Sequence, residues 1–280
     1  MAVSERSAAG CEGVPAAGGK GAPAACEGVS AAGGAAAADA AETPFSRLEP
    51  LMGSEGLARL QAATVAVIGL GGVGSSCAEA LARGGVGRLI LVDHDIVSPS
   101  NINRQAIAFT STVGRRKTEV AAAMALDINP TVRVRVCERF VTAQDADAFL
   151  EECCADADYI VDAIDTVSAK IELAVCAERR GLRLISSMGA ANKLHPECLR
   201  VADLYDTANC PLCRVMRREC RKRGVRSLRV LYSCERPAPL AVREGADPRA
   251  RSNLGTASFM PPIMGQTIAG VVIRELAGLE

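Results

Sequence analysis

The sequence predicts an α/β protein: a Rossmann-like, doubly wound, mostly parallel sheet with helices on both faces, followed by a less regular C-terminal part. Three observations carry this. A short apolar run, Val65 to Ile68, leads into a glycine turn (Gly69, Gly71, Gly72, Gly74) and then a helix whose Ala78, Ala80 and Ala82 permit close packing. A second strand, Leu89 to Val92, follows and ends on Asp93. Beyond it, short apolar runs and helical patterns alternate, as in successive parallel βαβ units.

Taken in order, residues 1–41 are Ala, Gly, Ser and Pro with scattered Glu, and hold a near-repeat, CEGVPAAGG and CEGVSAAGG. Such a segment has too little large apolar surface to offset its ordering entropy, so a disordered tail is expected, with one domain over 42–280. Phe45 to Leu60 reads as a turn and a short amphipathic helix entering the first strand. After Asp93 comes a polar loop, then a helix in which Val120, Met124 and Ile128 share one face until Pro130 stops it. Val132 to Val136 alternates as a strand, Gln144 to Cys154 fits a helix, and Tyr159 to Ala163 is an apolar strand. Ser168 to Arg180 is a helix and Leu182 to Ser186 a strand. Pro211 to Arg223 is a strongly basic helix, Leu228 to Ser233 a strand, and Glu235 to Arg251 a loop rich in Pro, Gly and Arg. Gly265 to Leu276 is a closing apolar helix, too short to cross a bilayer.

Composition narrows the function classes. With 280 residues, 49% of them hydrophobic, the chain can bury a full core, and its net charge of zero gives no global attraction to nucleic acid. The charge is uneven, however: Cys210 to Arg251 holds twelve Arg or Lys against four Asp or Glu. Neither a membrane span nor a signal peptide is indicated, so a cytoplasmic protein without membrane contact is expected. Its twelve cysteines then belong to a reducing compartment, where most of them, such as Cys77 and Cys176 within helices, act as small packing residues.

The glycine fingerprint says only that a nucleotide is bound. Glycines let the backbone approach phosphates, and the helix N-terminus that follows favours an anion. Asp93 is placed to hydrogen-bond a ribose hydroxyl, which suits NAD as well as ATP. The residues beyond decide for ATP: the next loop carries Asn101, Asn103 and Arg104, and Lys117 begins the following helix. Two cations with a glycine turn suit a triphosphate better than a pyrophosphate. Asp165, past the end of a strand on the same sheet edge, offers a carboxylate to Mg2+, a hard cation that takes carboxylate and phosphate oxygens.

This set, Gly69-Leu-Gly-Gly-Val-Gly74, Asp93-His-Asp95, Ser100-Asn-Ile-Asn-Arg104, Lys117 and Asp165-Thr166, resembles the ubiquitin-activating-type adenylyltransferases, which activate carboxylates as acyl-adenylates. The resemblance spans about Phe45 to Leu276. It implies that Asp93 takes the ribose, Asn101 and Arg104 the phosphates, Lys117 the α-phosphate region and Asp165 the magnesium, with Asp95, Ser100, Asn103 and Thr166 completing the nucleotide site. Arg104, Lys117 and Asp165 are the expected catalytic residues. Arg47 is either a surface charge or an arginine that reaches a phosphate, its own or a neighbouring subunit's.

Two branches of the family compete. One activates the Gly-Gly end of ubiquitin-like sulfur carriers and usually holds zinc through two Cys-x-x-Cys pairs; here Cys210-Pro-Leu-Cys213 is a single such pair, and Cys234 lacks a recognised base. The other uses ATP to dehydrate the threonylcarbamoyl group of an adenosine beside the tRNA anticodon, closing it into a ring. DAIDTVSAK, SSMGAANKLHP, CPLCRVMRRECRKRGV, YSCERP and GTASFMPPIMGQTIAG are similar to that branch. On this reading the basic part, about 200–255, meets tRNA, with Arg217, Arg218 and Arg221 on phosphates, and Asn192 and Lys193 hold the substrate carboxylate or RNA backbone. A homodimer is implied, and a sulfur-transfer or relay protein stays open as a partner. His94 and His195 read as loop residues.

Overall fold

β1 (Thr64–Ile68) lies inside a seven-stranded sheet of order β3-β2-β1-β4-β5-β7-β6 in the computed structural model, which describes residues 42–236, 238 and 255–280. Around it stand β2 (Arg88–Val92), β3 (Arg133–Cys137), β4 (Tyr159–Asp162), β5 (Leu184–Ser187), β6 (Leu199–Asp203) and β7 (Arg229–Ser233). Every neighbouring pair is parallel except β6 with β7. The expected tail over 1–41, and the loop expected from Glu235 to Arg251 apart from Glu235, Arg236 and Ala238, lie outside the described residues.

The inner strands β1, β2, β4, β5 and β7 are buried on both faces along nearly all their length, so their side chains feed two cores by simple alternation. Val65, Val67, Leu89 and Leu91 point into one core with α1 (Glu49–Ala62), α2 (Gly72–Arg83), α3 (Lys117–Ile128) and α7 (Met260–Ala277). Ala66, Ile68, Ile90 and Val92 point into the other with α4 (Ala146–Cys154), α5 (Val167–Arg180) and α6 (Pro211–Lys222). The expected cysteine packing holds at Cys77, Cys154, Cys176, Cys213 and Cys220, each 0% exposed.

Two elements differ from expectation. β6 was not legible in the sequence: it is only partly buried along most of its length, and no run of large apolar residues marks it. The closing helix begins five residues earlier than Gly265 and runs for 18 residues. Pro261 and Pro262 sit in its first turn, where the missing N–H groups have no partner to lose. No helix among the described residues is long and apolar enough to cross a membrane. Gly265 lets α7 close on α2, since a Cβ there would stand 2.3 Å from the Val73 carbonyl oxygen. At its far end Glu275 accepts hydrogen bonds from Arg183 (2.5 Å), Arg229 and the Tyr159 hydroxyl (3.4 Å), pinning α7 to the sheet.

The chain runs from β1 outward through β2 and β3, then returns to β4 on the opposite side of β1. This reversal opens a crevice beyond the carboxyl ends of β1 and β4, the place where ligands of such sheets bind.

Candidate active site

A cleft of about 600 Å³ occupies that crevice, lined from β1, β2 and β4 and from the loop following β5. The β1 end supplies the glycine turn. Gly69 has φ +90°, and a Cβ at Gly74 would stand 1.7 Å from the Gly69 carbonyl oxygen, so the turn itself demands these two glycines. Gly71 differs: its Cβ position faces open space, and it lines the cleft together with Gly69 and Gly72. Gly71 also begins α2 without a side-chain cap, which leaves the first N–H groups of that helix available to an anion.

Asp93 follows β2 and works in two directions. It faces the cleft, and its Oδ2 accepts from the Leu70 N–H (2.7 Å) while Oδ1 accepts from the Asp95 N–H (2.9 Å), bracing the glycine turn against the next loop. That loop folds back on the start of α3 through an Ile96–Arg116 bridge, which sets the Lys117 Nζ 2.8 Å from Asp95 Oδ2 and 3.9 Å from Asp93 Oδ2. Burial tends to raise the Asp95 carboxyl, but the Lys117 hydrogen bond and charge, with His94, hold it below its ordinary value.

A carboxyl lowered by folding stabilises the folded state above its unfolded value of about 3.9, and loses that contribution as pH falls through the lower folded value. Because half of the Asp95 side chain faces solvent, screening keeps the gain under about 1 kcal/mol. Asp95→Asn is therefore expected to be slightly less stable than the parent at neutral pH, with the gap closing below about pH 4. Denaturant melts across a pH series read this directly.

Arg104 lines the same cleft, and its Nη1 donates to the Ser100 carbonyl (2.9 Å) and Asn103 Oδ1 (2.8 Å). No carboxylate pairs with it among the described residues, so its own positive charge is not compensated by a direct contact. Ser75 fixes this wall: its hydroxyl donates to the Gly71 carbonyl (2.7 Å) and accepts from the Ala106 N–H (3.0 Å). Past β4, exposed Asp165 faces the cleft and carries no cation partner among the described residues. Thr166 beside it begins α5 without a side-chain cap. A free carboxylate in one cleft with bare N–H groups and an arginine is a donor set that fits a magnesium-bound triphosphate.

The cleft therefore has the parts of a nucleotide-binding site, and comparison along most of the chain points the same way. Residues 45–279 match the ThiF family throughout. The chain belongs to the ThiF family. It is 40% identical over 243 residues to the tRNA threonylcarbamoyladenosine dehydratase of Bacillus subtilis, covering 83% of this chain and 94% of that protein. It superposes with a TM-score of 0.75 and 29% identity on the crystal structure of the E. coli tRNA N6-threonylcarbamoyladenosine dehydratase, TcdA, in complex with ATP, covering 84% of this chain and 94% of that one. The SAMP-activating enzyme E1 of Haloferax volcanii is 36% identical over 134 residues, about half of each chain (48%).

Of the residues expected from the family pattern, Gly69, Gly71, Gly72, Asp93, Asp95, Asn101, Arg104, Lys117, Asp165 and Thr166 line one cleft. Gly74, Ser100 and Asn103 do not; they shape the turn and hold Arg104. The expected substrate residues fare differently. The Lys193 ammonium is buried and donates to the Glu235 carbonyl. Asn192, at φ 57°, spends its side chain on the Gly255 N–H (2.9 Å) and its carbonyl on the Ala238 N–H (2.9 Å), so it clasps the two ends of an intervening segment. Arg217 turns inward to Thr207, and Arg221 lies 5.0 Å over the Tyr205 ring. Arg218 is exposed and pairs with Glu219 (2.9 Å). Arg47 is exposed and stands outside this chain's cleft lining.

Sequence reasoning missed Gln105, which lines the cleft with its side-chain oxygen buried and unpartnered, and the wall made by His94 stacked edge-on with Phe140 (4.6 Å). The unbroken Asn-Arg-Gln run was the available signal for the first. Cys210 and Cys213 meet at the start of α6, where the neighbouring Cys213 thiol, against burial, holds the Cys210 thiol below its ordinary value. No third metal-ligating side chain joins them among the described residues.

Proposed function

We propose that this protein uses ATP to dehydrate the threonylcarbamoyl group of an adenosine in tRNA. A carboxylate is a poor electrophile because its leaving group would be oxide. Its oxygen attacks the α-phosphorus of ATP, pyrophosphate leaves, and the carboxyl becomes an acyl-adenylate. A nucleophile of the same side chain then attacks the activated carbonyl, and AMP departs with the carboxylate oxygen, which accounts for the lost water. Arg104 and Lys117 stabilise negative charge developing on the phosphates, and the α2 N-terminus holds them by its N–H groups. Asp165 would hold a magnesium ion, whose charge would further neutralise that of the phosphates. Ring closure needs no enzyme nucleophile, because both reacting groups sit on one substituent.

The observation that carries this reading is the convergence of the glycine turn, Arg104, Lys117 and an unpaired Asp165 on one cleft, in a chain that aligns along nearly the whole of the Bacillus subtilis dehydratase. Exposed Arg214 and Arg218 on α6 suit an RNA backbone, so binding should weaken steeply as salt rises. A cytoplasmic homodimer belongs to the same reading. Pairing would cover exposed Ile102, Phe109 and Phe259, and would let Arg47 serve the neighbouring subunit's nucleotide.

Incubating the protein with ATP, magnesium and threonylcarbamoyl-modified tRNA, followed by mass spectrometry of the nucleosides, tests it. The expected result is one cyclised adenosine and one AMP per event. Release of AMP only on adding a small protein ending in Gly-Gly would instead make this a sulfur-carrier activator.

A further inference from the structure

Lys170 and Asp162 form an ion pair of 2.9 Å with both side chains 0% exposed, and none of the steps above uses either residue. Burying two charges costs several kcal/mol per ion, and such pairs are seldom better for stability than apolar residues of the same size. A pair retained at that cost invites the question of what it holds.

What it holds is the single residue before Asp165. Asp162 Oδ1 accepts from the Ile164 N–H (3.2 Å), and Lys170 Nζ donates to the Ile164 carbonyl (3.1 Å), so both peptide groups of Ile164 are tied to the pair. The remaining ammonium proton points to the Asp162 carbonyl (3.5 Å). Asp162 Oδ2 is itself fixed by the Ser186 hydroxyl (2.6 Å) on β5. On the other side, Ala163 donates to the Ile68 carbonyl (2.8 Å), and its own carbonyl lies against Gly69, where a Cβ would come within 2.9 Å. Lys170 stands in the first turn of α5, its N–H on the Thr166 carbonyl (3.0 Å). The turn 162–165 is thus fastened to β1, β5 and α5 at once, leaving the Asp165 backbone little freedom relative to the glycine turn.

Resting on the reading of Asp165 as the magnesium-side carboxylate, we propose that Lys170 is a positioning residue. With Asp162 and Ser186 it holds the Ile164 peptide groups and so keeps the following Asp165 in place to take the metal.

The test replaces the pair without leaving a buried charge: Asp162→Asn with Lys170→Met. The full-length double variant is expected to melt within a few degrees of the parent. Its affinity for ATP with magnesium should fall about tenfold, as for other partners that orient a metal ligand. Its affinity for ATP in EDTA should change less than about twofold. Unchanged affinity with magnesium would make the pair a brace of the core and overturn the proposal; so would equal losses with and without the metal. If the double variant does not accumulate, Ser186→Ala reads the same point more weakly. Removal of its bond to Asp162 should cost about two- to threefold in magnesium-dependent affinity alone, and no such loss overturns the proposal. These readouts need no tRNA, so a failure of the proposed reaction and a failure of this inference are told apart.

Discussion

Arg104→Ala is expected to lower ATP-dependent turnover by about 10²–10³-fold, the usual cost of removing one preorganised group that stabilises developing charge. The ground is the state of the guanidinium. Its polar contacts are the Ser100 carbonyl and the Asn103 amide oxygen, both neutral, so its charge is unspent within a cleft that also presents bare helix N–H groups. Lys117 is less diagnostic. Its ammonium already neutralises Asp95 and lies 3.9 Å from Asp93, so removing it would disturb two carboxylates as well as the nucleotide. Arg104 supports no such pair, and its loss should shift the melting temperature by no more than about 2 °C. Single-turnover AMP formation, measured beside a thermal melt, checks both halves. Turnover within twofold of the parent would place the reacting phosphates elsewhere.

How much of this was legible beforehand depended on the range of the interaction concerned. The glycine turn, Asp93 and the alternating strands could be read because they rest on local periods and turn chemistry that span a few residues. β6 escaped because its partly buried stretch carries no run of large apolar residues. The cleft residues came together as expected, since they sit at strand ends that a doubly wound sheet must place side by side. The surroundings of the expected substrate residues were less legible. Asn192 and Lys193 look like free polar groups on a loop until the chain returns, 63 residues later at Gly255 and 42 residues later at Glu235, to occupy them. Arg217 turns instead to Thr207, ten residues earlier. The Lys170–Asp162 pair was also hidden, because a lysine in a helical stretch reads as a solvent-facing charge unless its partner across the fold is known.

A pair of glycine variants should separate the two reasons the turn is glycine-rich, and one of them carries the largest expected effect on stability. In Gly74→Ala the new methyl would stand 1.7 Å from the Gly69 carbonyl oxygen, 2.9 Å from the Gly69 carbonyl carbon and 3.3 Å from Ala163 Cβ. The obstacle is backbone, which cannot step aside as the tip of a flexible side chain would. Moving it means shifting Gly69, whose φ of +90° few other residues adopt and whose neighbour Leu70 is held by Asp93. A cost of about 3–5 kcal/mol is expected, or roughly 10 °C in melting temperature. Gly71→Ala is the contrast. Its φ of −70° suits alanine and its Cβ position is open, so the fold should lose only about 0.5 kcal/mol, from a poorer helix cap. That methyl would nevertheless project where the backbone lies bare to the cleft, and ATP affinity should fall about tenfold. Thermal melts with and without ATP measure both effects on the same samples. A Gly71→Ala protein that binds ATP like the parent would mean that this stretch of backbone is not where the phosphates rest.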